Sequence, residues 1–164
     1  MPLSVPVAGP TVVASPLVAL TATAAAWPAA NRAVFNRFAL VVPTVLRYIN
    51  WEVGTSSGNV QLGVVRLSGA GRTSYSRVMN TGVIACPGSG AQRTDLGATT
   101  LAAGDYAAFL WADNTTMTTR YVTNAATAGL KLCGLENSLT SGVGASGTIT
   151  FNQGHVTLVL EGDV

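Results

Sequence analysis

The chain has 164 residues, 10% of them charged and 48% apolar, with a formal net charge of +2 and a mean hydropathy of +0.39. An ordinary globular domain carries about 25% charged residues, so this chain is short of charge to cover itself, and part of its surface is expected to lie against other copies or another protein. The nine basic residues are scattered, without a run or a basic helix, which excludes a nucleic-acid footprint, and the longest apolar stretch, 17–30, is too short and too broken by Thr and Pro to span a bilayer.

The length suits one domain with a core of its own. Residues 1–16 carry prolines at 2, 6, 10 and 16. Proline removes donors and blocks helix, so this stretch is predicted to be an extended arm. Its apolar side chains Leu3, Val5, Val7, Val12 and Val13 have no core of their own to enter, and they are expected to anchor on a neighbouring copy or on a surface beneath. No basic residue precedes the first apolar stretch, so no signal peptide is expected. A first strand is predicted over 17–26, closed by Trp27-Pro28, and Trp27 is the aromatic expected at an interface. The arm and this strand form an assembly segment, 1–30, ahead of a domain spanning 31–164.

Strands then follow at short, even spacing. Residues 33–42 place Phe38, Leu40 and Val42 on one face, and Pro43 ends them. Residues 45–53 alternate cleanly, and a Gly54-to-Gly58 loop leads to 59–67, so a hairpin is predicted between the two. Further strands are predicted over 73–79, 82–86, 105–113 and 117–123. Residues 95–100 lead into the third of these, whose two faces are both apolar, so both are expected to be covered. Residues 127–147 are rich in Gly and Ser around a short apolar piece at 130–133. A closing hairpin is predicted from 148–151 and 156–161 around Asn152-Gln153-Gly154. No amphipathic helix of ten or more residues appears. The pattern predicts an all-β antiparallel sandwich, jelly-roll-like, with an extended N-terminal arm.

Residues capable of chemistry are few. His155 is the only histidine, the Gly-x-Ser-x-Gly at Gly54-Thr55-Ser56-Ser57-Gly58 reads as a loop between two strands, and nothing near His155 adds metal ligands at useful spacing. A glycosidase needs two carboxylates facing across a cleft, whereas Asp105 and Asp113 fall at the two ends of one predicted strand. Asn114-Thr115-Thr116 fits a glycosylation sequon but reads as a turn. Cys86 and Cys133 leave one disulfide or two thiols open, and free thiols packing as small hydrophobes are expected. Trp51 and Trp111 fall in the strands with the clearest alternation and are expected in the core. No enzymatic activity, cofactor or metal is expected.

The run FNRFALVVPTVLRYINWEVGTSSGNVQLGVVRLSGAG, followed by TTLAAGDYAAFLWAD, resembles the jelly-roll domain of tailed-bacteriophage virion proteins: capsid decoration, head-fibre and minor tail proteins. Gly58-Asn59-Val60-Gln61-Leu62-Gly63-Val64 and Leu101-Ala102-Ala103-Gly104-Asp105-Tyr106 carry the likeness, which covers about residues 33–123. Val65-Arg66 departs from the usual aromatic–acid pair, and Ala107 from the second aromatic. The resemblance implies a structural virion protein made in the host bacterial cytoplasm, where thiols stay reduced. It implies a homo-oligomer, with a trimer favoured, bound to the major capsid protein or to tail proteins. A shaft of heptads or collagen-like repeats is missing, which suits a capsid decoration protein better than a fibre. The alternative is a tail-tip module binding a host-surface glycan. Neither involves nucleic acid or a membrane.

Overall fold

The computed structural model describes residues 11–14, 23–122, 133–151, 155–156 and 158–162. They form an antiparallel β-sandwich of two seven-stranded sheets. In chain order the strands are β1 (Thr11–Ala14), β2 (Thr23–Ala26), β3 (Arg32–Leu40), β4 (Thr44–Val53), β5 (Asn59–Ser68), β6 (Ser74–Asn80), β7 (Ile84–Ala85), β8 (Gly90–Leu101), β9 (Gly104–Ala112), β10 (Thr118–Val122), β11 (Cys133–Glu136), β12 (Ser146–Thr148), β13 (His155–Val156) and β14 (Val159–Gly162). The helical content of the described residues is one short 3-10 turn, Ala70–Arg72. The first sheet runs β1-β14-β4-β10-β13, with β2 on β10 and β8 on β4; the second runs β11-β3-β9-β5-β6-β12, with β7 on β5.

The centre of the second sheet is β9. It pairs with β3 from Arg32↔Ala112 to Leu40↔Gly104, and with β5 from Val60↔Ala112 to Arg66↔Tyr106. Residues 106–112 are all buried, and alternation sends them to two different cores. Tyr106, Ala108, Leu110 and Ala112 join Val34, Val60, Leu62 and Val64 against Leu46, Ile49, Trp51, Val53, Leu158 and Leu160 of the first sheet. Ala107, Phe109 and Trp111 join Ala33, Phe35, Val65, Leu67 and Tyr75 on the opposite face, under Val143, Ile149 and Phe151. Trp51 and Trp111 are thus core residues, as their alternation predicts.

The segment 133–151 carries the outer strands β11 and β12 of this sheet, and its Leu139, Val143, Ile149 and Phe151 pack on the second face. Trp111 Nε1 donates to Leu139 O at 2.9 Å. The Val143 amide donates to the buried Gln61 Oε1 at 2.7 Å, and Gln61 Nε2 donates to Asn80 Oδ1 at 2.8 Å. Tyr75 donates to Glu136 Oε2 at 2.6 Å, and Arg77 donates to Val143 O. The small residues of this segment follow from its closeness to the sheet: a Cβ on Gly134 would lie 2.5 Å from Ile149 Cγ2, and one on Gly147 would lie 2.6 Å from Tyr75 Oη.

The pairing differs from the sequence expectation in several places. Residues 45–53 and 59–67 are not a hairpin. β4 belongs to the first sheet, where β8 lines one edge and β14 and β10 the other, while β5 pairs with β9, β6 and β7 in the second. The intervening loop is an arch between sheets, tied down by the Gly54 amide on Thr118 O at 2.8 Å. Val53 at one foot and Val60 at the other share the core between the sheets. The predicted closing hairpin is also split: β12 and Thr150 pair with β6 and Leu135 in the second sheet, while β13 and β14 pair in the first. β8 is a full twelve-residue strand along β4, with a bulge opposite Leu46 and Tyr48, where only its second half was expected as a lead-in. Mostly exposed Thr, Ala and Gly give it little hydrophobic periodicity to read.

Phe109 is fully buried with its ring 5.8 Å from that of Phe35, whereas Val41 is 89% exposed. Phe109→Ala is expected to cost about 3–5 kcal/mol in urea unfolding, and Val41→Ala less than about 0.5 kcal/mol. Equal costs would contradict the two-core arrangement.

Candidate interaction surface

Leu3, Val5 and Val7 lie outside the described residues. Val12 and Val13 fall on β1, which pairs with β14 of its own sheet through Thr11↔Gly162, Val12↔Glu161 and Ala14↔Leu160. Trp27 is a correction: it is 1% exposed, inside the core between the sheets, and Nε1 donates to Arg32 O at 3.1 Å. Its amide also bonds Met117 O, and β2 just before it pairs with β10. Residues 23–30 therefore belong to the sandwich, and the division expected at residue 30 does not follow the packing.

The polar candidates serve the fold. Asp113 Oδ1 accepts from the Asn59 amide at 3.0 Å and from Asn114 Nδ2 at 2.6 Å, and its Oδ2 accepts from Asn59 Nδ2 at 2.7 Å. This clasp joins the start of β5 to the end of β9. Asn114 Oδ1 in turn accepts from the amides of Thr116 and Met117, so the sequon-like triplet is a turn. Gly58 closes the clasp at φ 63°, where a Cβ would lie 1.9 Å from Asn114 Nδ2. Asp105, at the other end of β9, pairs with Arg72 at 2.9 Å. Eight residues of strand hold Asp105 and Asp113 about 26 Å apart, far beyond the roughly 10 Å that two carboxylates acting on one glycosidic bond can span. His155 pairs through its backbone with Val122.

Among the described side chains, the aromatic faces are occupied. Trp27, Trp51, Trp111, Tyr75 and Tyr106 are buried. The Tyr48 ring is covered by Arg93 at 3.6 Å, with Arg47 at 5.0 Å, and Phe151 lies under Arg37 at 3.5 Å. A cleft of about 410 Å³ beside Phe151 is lined by Arg37, Gly71, Thr73 and residues 148–151. Arg37 donates from Nη2 to the carbonyls of Gly71 and Arg72, so that group is committed to holding the 3-10 turn.

One surface feature stands apart. β3 ends at Leu40, two residues earlier than the apolar pattern predicts, and Val41 and Val42 lie in the turn to β4, 89% and 60% exposed. Val42 is therefore a solvent residue, not a strand-face residue as expected. A residue before proline favours extended backbone, but Pro43 cannot donate to a ladder, and the pairing stops at Leu40. The pairs Leu40↔Gly104 and Thr44↔Leu101 set this turn beside the β8–β9 turn, whose Ala102 and Ala103 are also exposed. Both turns are held in shape: Thr44 Oγ1 donates to Val42 O at 3.0 Å and Tyr106 Oη to Ala102 O at 2.8 Å. The result is an apolar tip, Val41-Val42-Pro43 beside Ala102-Ala103, at one end of the sandwich. The available sequence signal was two β-branched residues directly before a proline, which apolar periodicity alone assigns to the strand.

No family model matches the chain, and no curated protein or solved structure matches it either.

Two outcomes follow from these groups. Burial pushes the Asp113 carboxyl up, but the hydrogen bonds from Asn59 and Asn114 outweigh it and hold it below the ordinary carboxylate range. A group depressed on folding stabilises above its unfolded value and loses that contribution as pH falls through the folded one. Stability should therefore drop as pH falls below about 4, and Asp113→Ala should cost about 1–3 kcal/mol at neutral pH and weaken this acid dependence; an unchanged acid profile in the variant would refute the clasp. Cys86 and Cys133 are both free. Burial pushes the Cys133 thiol up to about 12, and the thiolate is the reactive form. Iodoacetamide on the native protein should leave Cys133 unmodified until unfolding, and half-buried Cys86 should react first; rapid native labelling of Cys133 by peptide mass would contradict this.

Proposed function

We propose that this protein is a non-enzymatic structural subunit of a tailed-bacteriophage virion, a capsid decoration protein that binds the particle surface as a homo-oligomer, with a trimer favoured. The resemblance of its sequence over about residues 33–123 to jelly-roll virion domains supports the family reading. The observation that carries the binding reading is the apolar tip, two adjacent turns each held by a hydrogen bond, whose Val41 and Val42 are left out of the fold's own core. Exposed apolar surface on a rigid element marks an interaction site. The residues before β1 add contacts of the same apolar kind through Leu3, Val5 and Val7, with the major capsid protein as the partner.

The disposition of the rings supports this reading over a glycan-binding tail tip. Sugar recognition needs open aromatic faces beside polar groups, and the described tryptophans are all in the cores. Tyr48 and Phe151 are capped by guanidinium groups.

Electron microscopy of particles carrying a gold-labelled C-terminal tag on the subunit tests the proposal. Label distributed over the head is the expected result. Label confined to the tail tip would replace the decoration role with the tail role, and particles free of label would refute a virion role.

A further inference from the structure

We propose that the tip and Arg66 together form the docking knob, and that it seats in an apolar depression bearing a carboxylate on the particle protein; this rests on the decoration reading above. Arg66 lies at the base of the tip. It pairs across the strands with Tyr106, and its guanidinium sits beside Gly104, 3.8 Å from where a Cβ there would stand. It is exposed and makes no hydrogen bond or ion pair with a described residue. The acid nearest the tip, Asp105, is held by Arg72 at 2.9 Å, and Asp95 is held by Arg47 at 3.1 Å. One uncompensated positive charge therefore stands beside Gly104, at the foot of the turn that carries Ala102 and Ala103.

That pairing selects the occupant. A complementary surface must offer apolar concavity and a free carboxylate. In a second copy the described carboxylates already carry partners. Glu52 is engaged by Arg120, Glu161 by Arg93, Glu136 by Tyr75 and Asp113 by Asn59 and Asn114, in addition to Asp95 and Asp105. A bilayer is the poorer fit, because interfacial anchoring relies on Trp, Phe and Leu with several basic residues, and the tip offers Val, Pro and Ala with one arginine. A distinct protein remains.

The test uses the full-length protein, particles grown without the subunit, and co-sedimentation binding curves. Three variants alter exposed positions: the double change Val41→Ser with Val42→Ser, the charge reversal Arg66→Glu, and Val83→Ser as a control. Val83 is 47% exposed and lies near the opposite end of β9, about 26 Å away along the strand. The tip variant and Arg66→Glu should each bind about tenfold or more weakly, with the control unchanged and all three retaining the wild-type melting curve. If wild type binds and every variant binds equally, docking lies elsewhere: the inference falls while the decoration reading stands. If wild type itself does not bind, the decoration reading fails and takes the inference with it. Sedimentation of wild type with 3:1 phosphatidylcholine–phosphatidylglycerol vesicles, lost in Arg66→Glu, would overturn the choice of a protein partner. Loss of self-association in the tip variant by analytical ultracentrifugation would reassign the knob to a second copy.

Discussion

Seven consecutive buried residues, 106–112, leave β9 without a solvent face, and the layering of the molecule follows from that constraint. A strand in an ordinary two-sheet sandwich buries one face and wets the other. Here Ala107, Phe109 and Trp111 put a second apolar row on the outer side, and leaving it in water would forfeit about 1.5–3 kcal/mol for each large side chain. Residues 133–151 supply the missing cover. They can do so because Gly134, Gly142 and Gly147 let the backbone approach to where a Cβ would collide. Composition that reads as a flexible, Gly- and Ser-rich loop is in this case the shape requirement of a segment packed closely on the sheet whose outer strands it carries.

Covering a sheet face with irregular backbone raises a second problem, since the buried polar groups of that segment need partners. Gln61 solves part of it. It is 3% exposed in a row of aliphatic residues, and it spans from the Val143 amide to Asn80. Trp111 and Tyr75 solve more, each presenting an apolar ring to the core and a polar edge to the cover. The scarcity of charge has a related consequence. The ion pairs among the described residues lie on partly or largely exposed side chains, where each contributes little. The fold rests on apolar burial and on these few bridging amides and rings.

The strand cores at β3, β4, β5, β6, β9 and β10 were legible because alternation and turn residues coincide there, and the all-β sandwich followed from their number and spacing. The two-faced burial of β9 was legible for the same reason. Sheet membership was not. A five-residue link such as 54–58 serves a hairpin or an arch equally well, and the choice depends on which strands fill the edges of β4, a property of the whole chain. β8 was hidden because an exposed strand of Thr, Ala and Gly carries no apolar period. Trp27 was misplaced because a tryptophan beside proline looks like a loop residue until Met117 and Arg32 close around it. The tip was missed for the opposite reason: Val41 and Val42 carry strand propensity, and only the early end of β3 turns them outward.

The position of the tip also explains how a site can be rigid without costing the core. Both of its turns cross between the sheets, from β3 to β4 and from β8 to β9, so their feet are fixed by four long strands. Tyr106 reaches from the core between the sheets to the Ala102 carbonyl, linking the shape of the turn to the most buried strand in the molecule. A partner that covers Val41 and Val42 therefore meets a surface that is already ordered, and the entropy of ordering that opposes docking by flexible segments is largely absent. The same reasoning separates the tip from an extended arm, whose apolar side chains must be fixed in place at the moment of binding. In a charge-poor sandwich, where long-range attraction to a partner is weak, a preformed apolar contact beside a single unneutralised arginine lets shape and one charge set the register together.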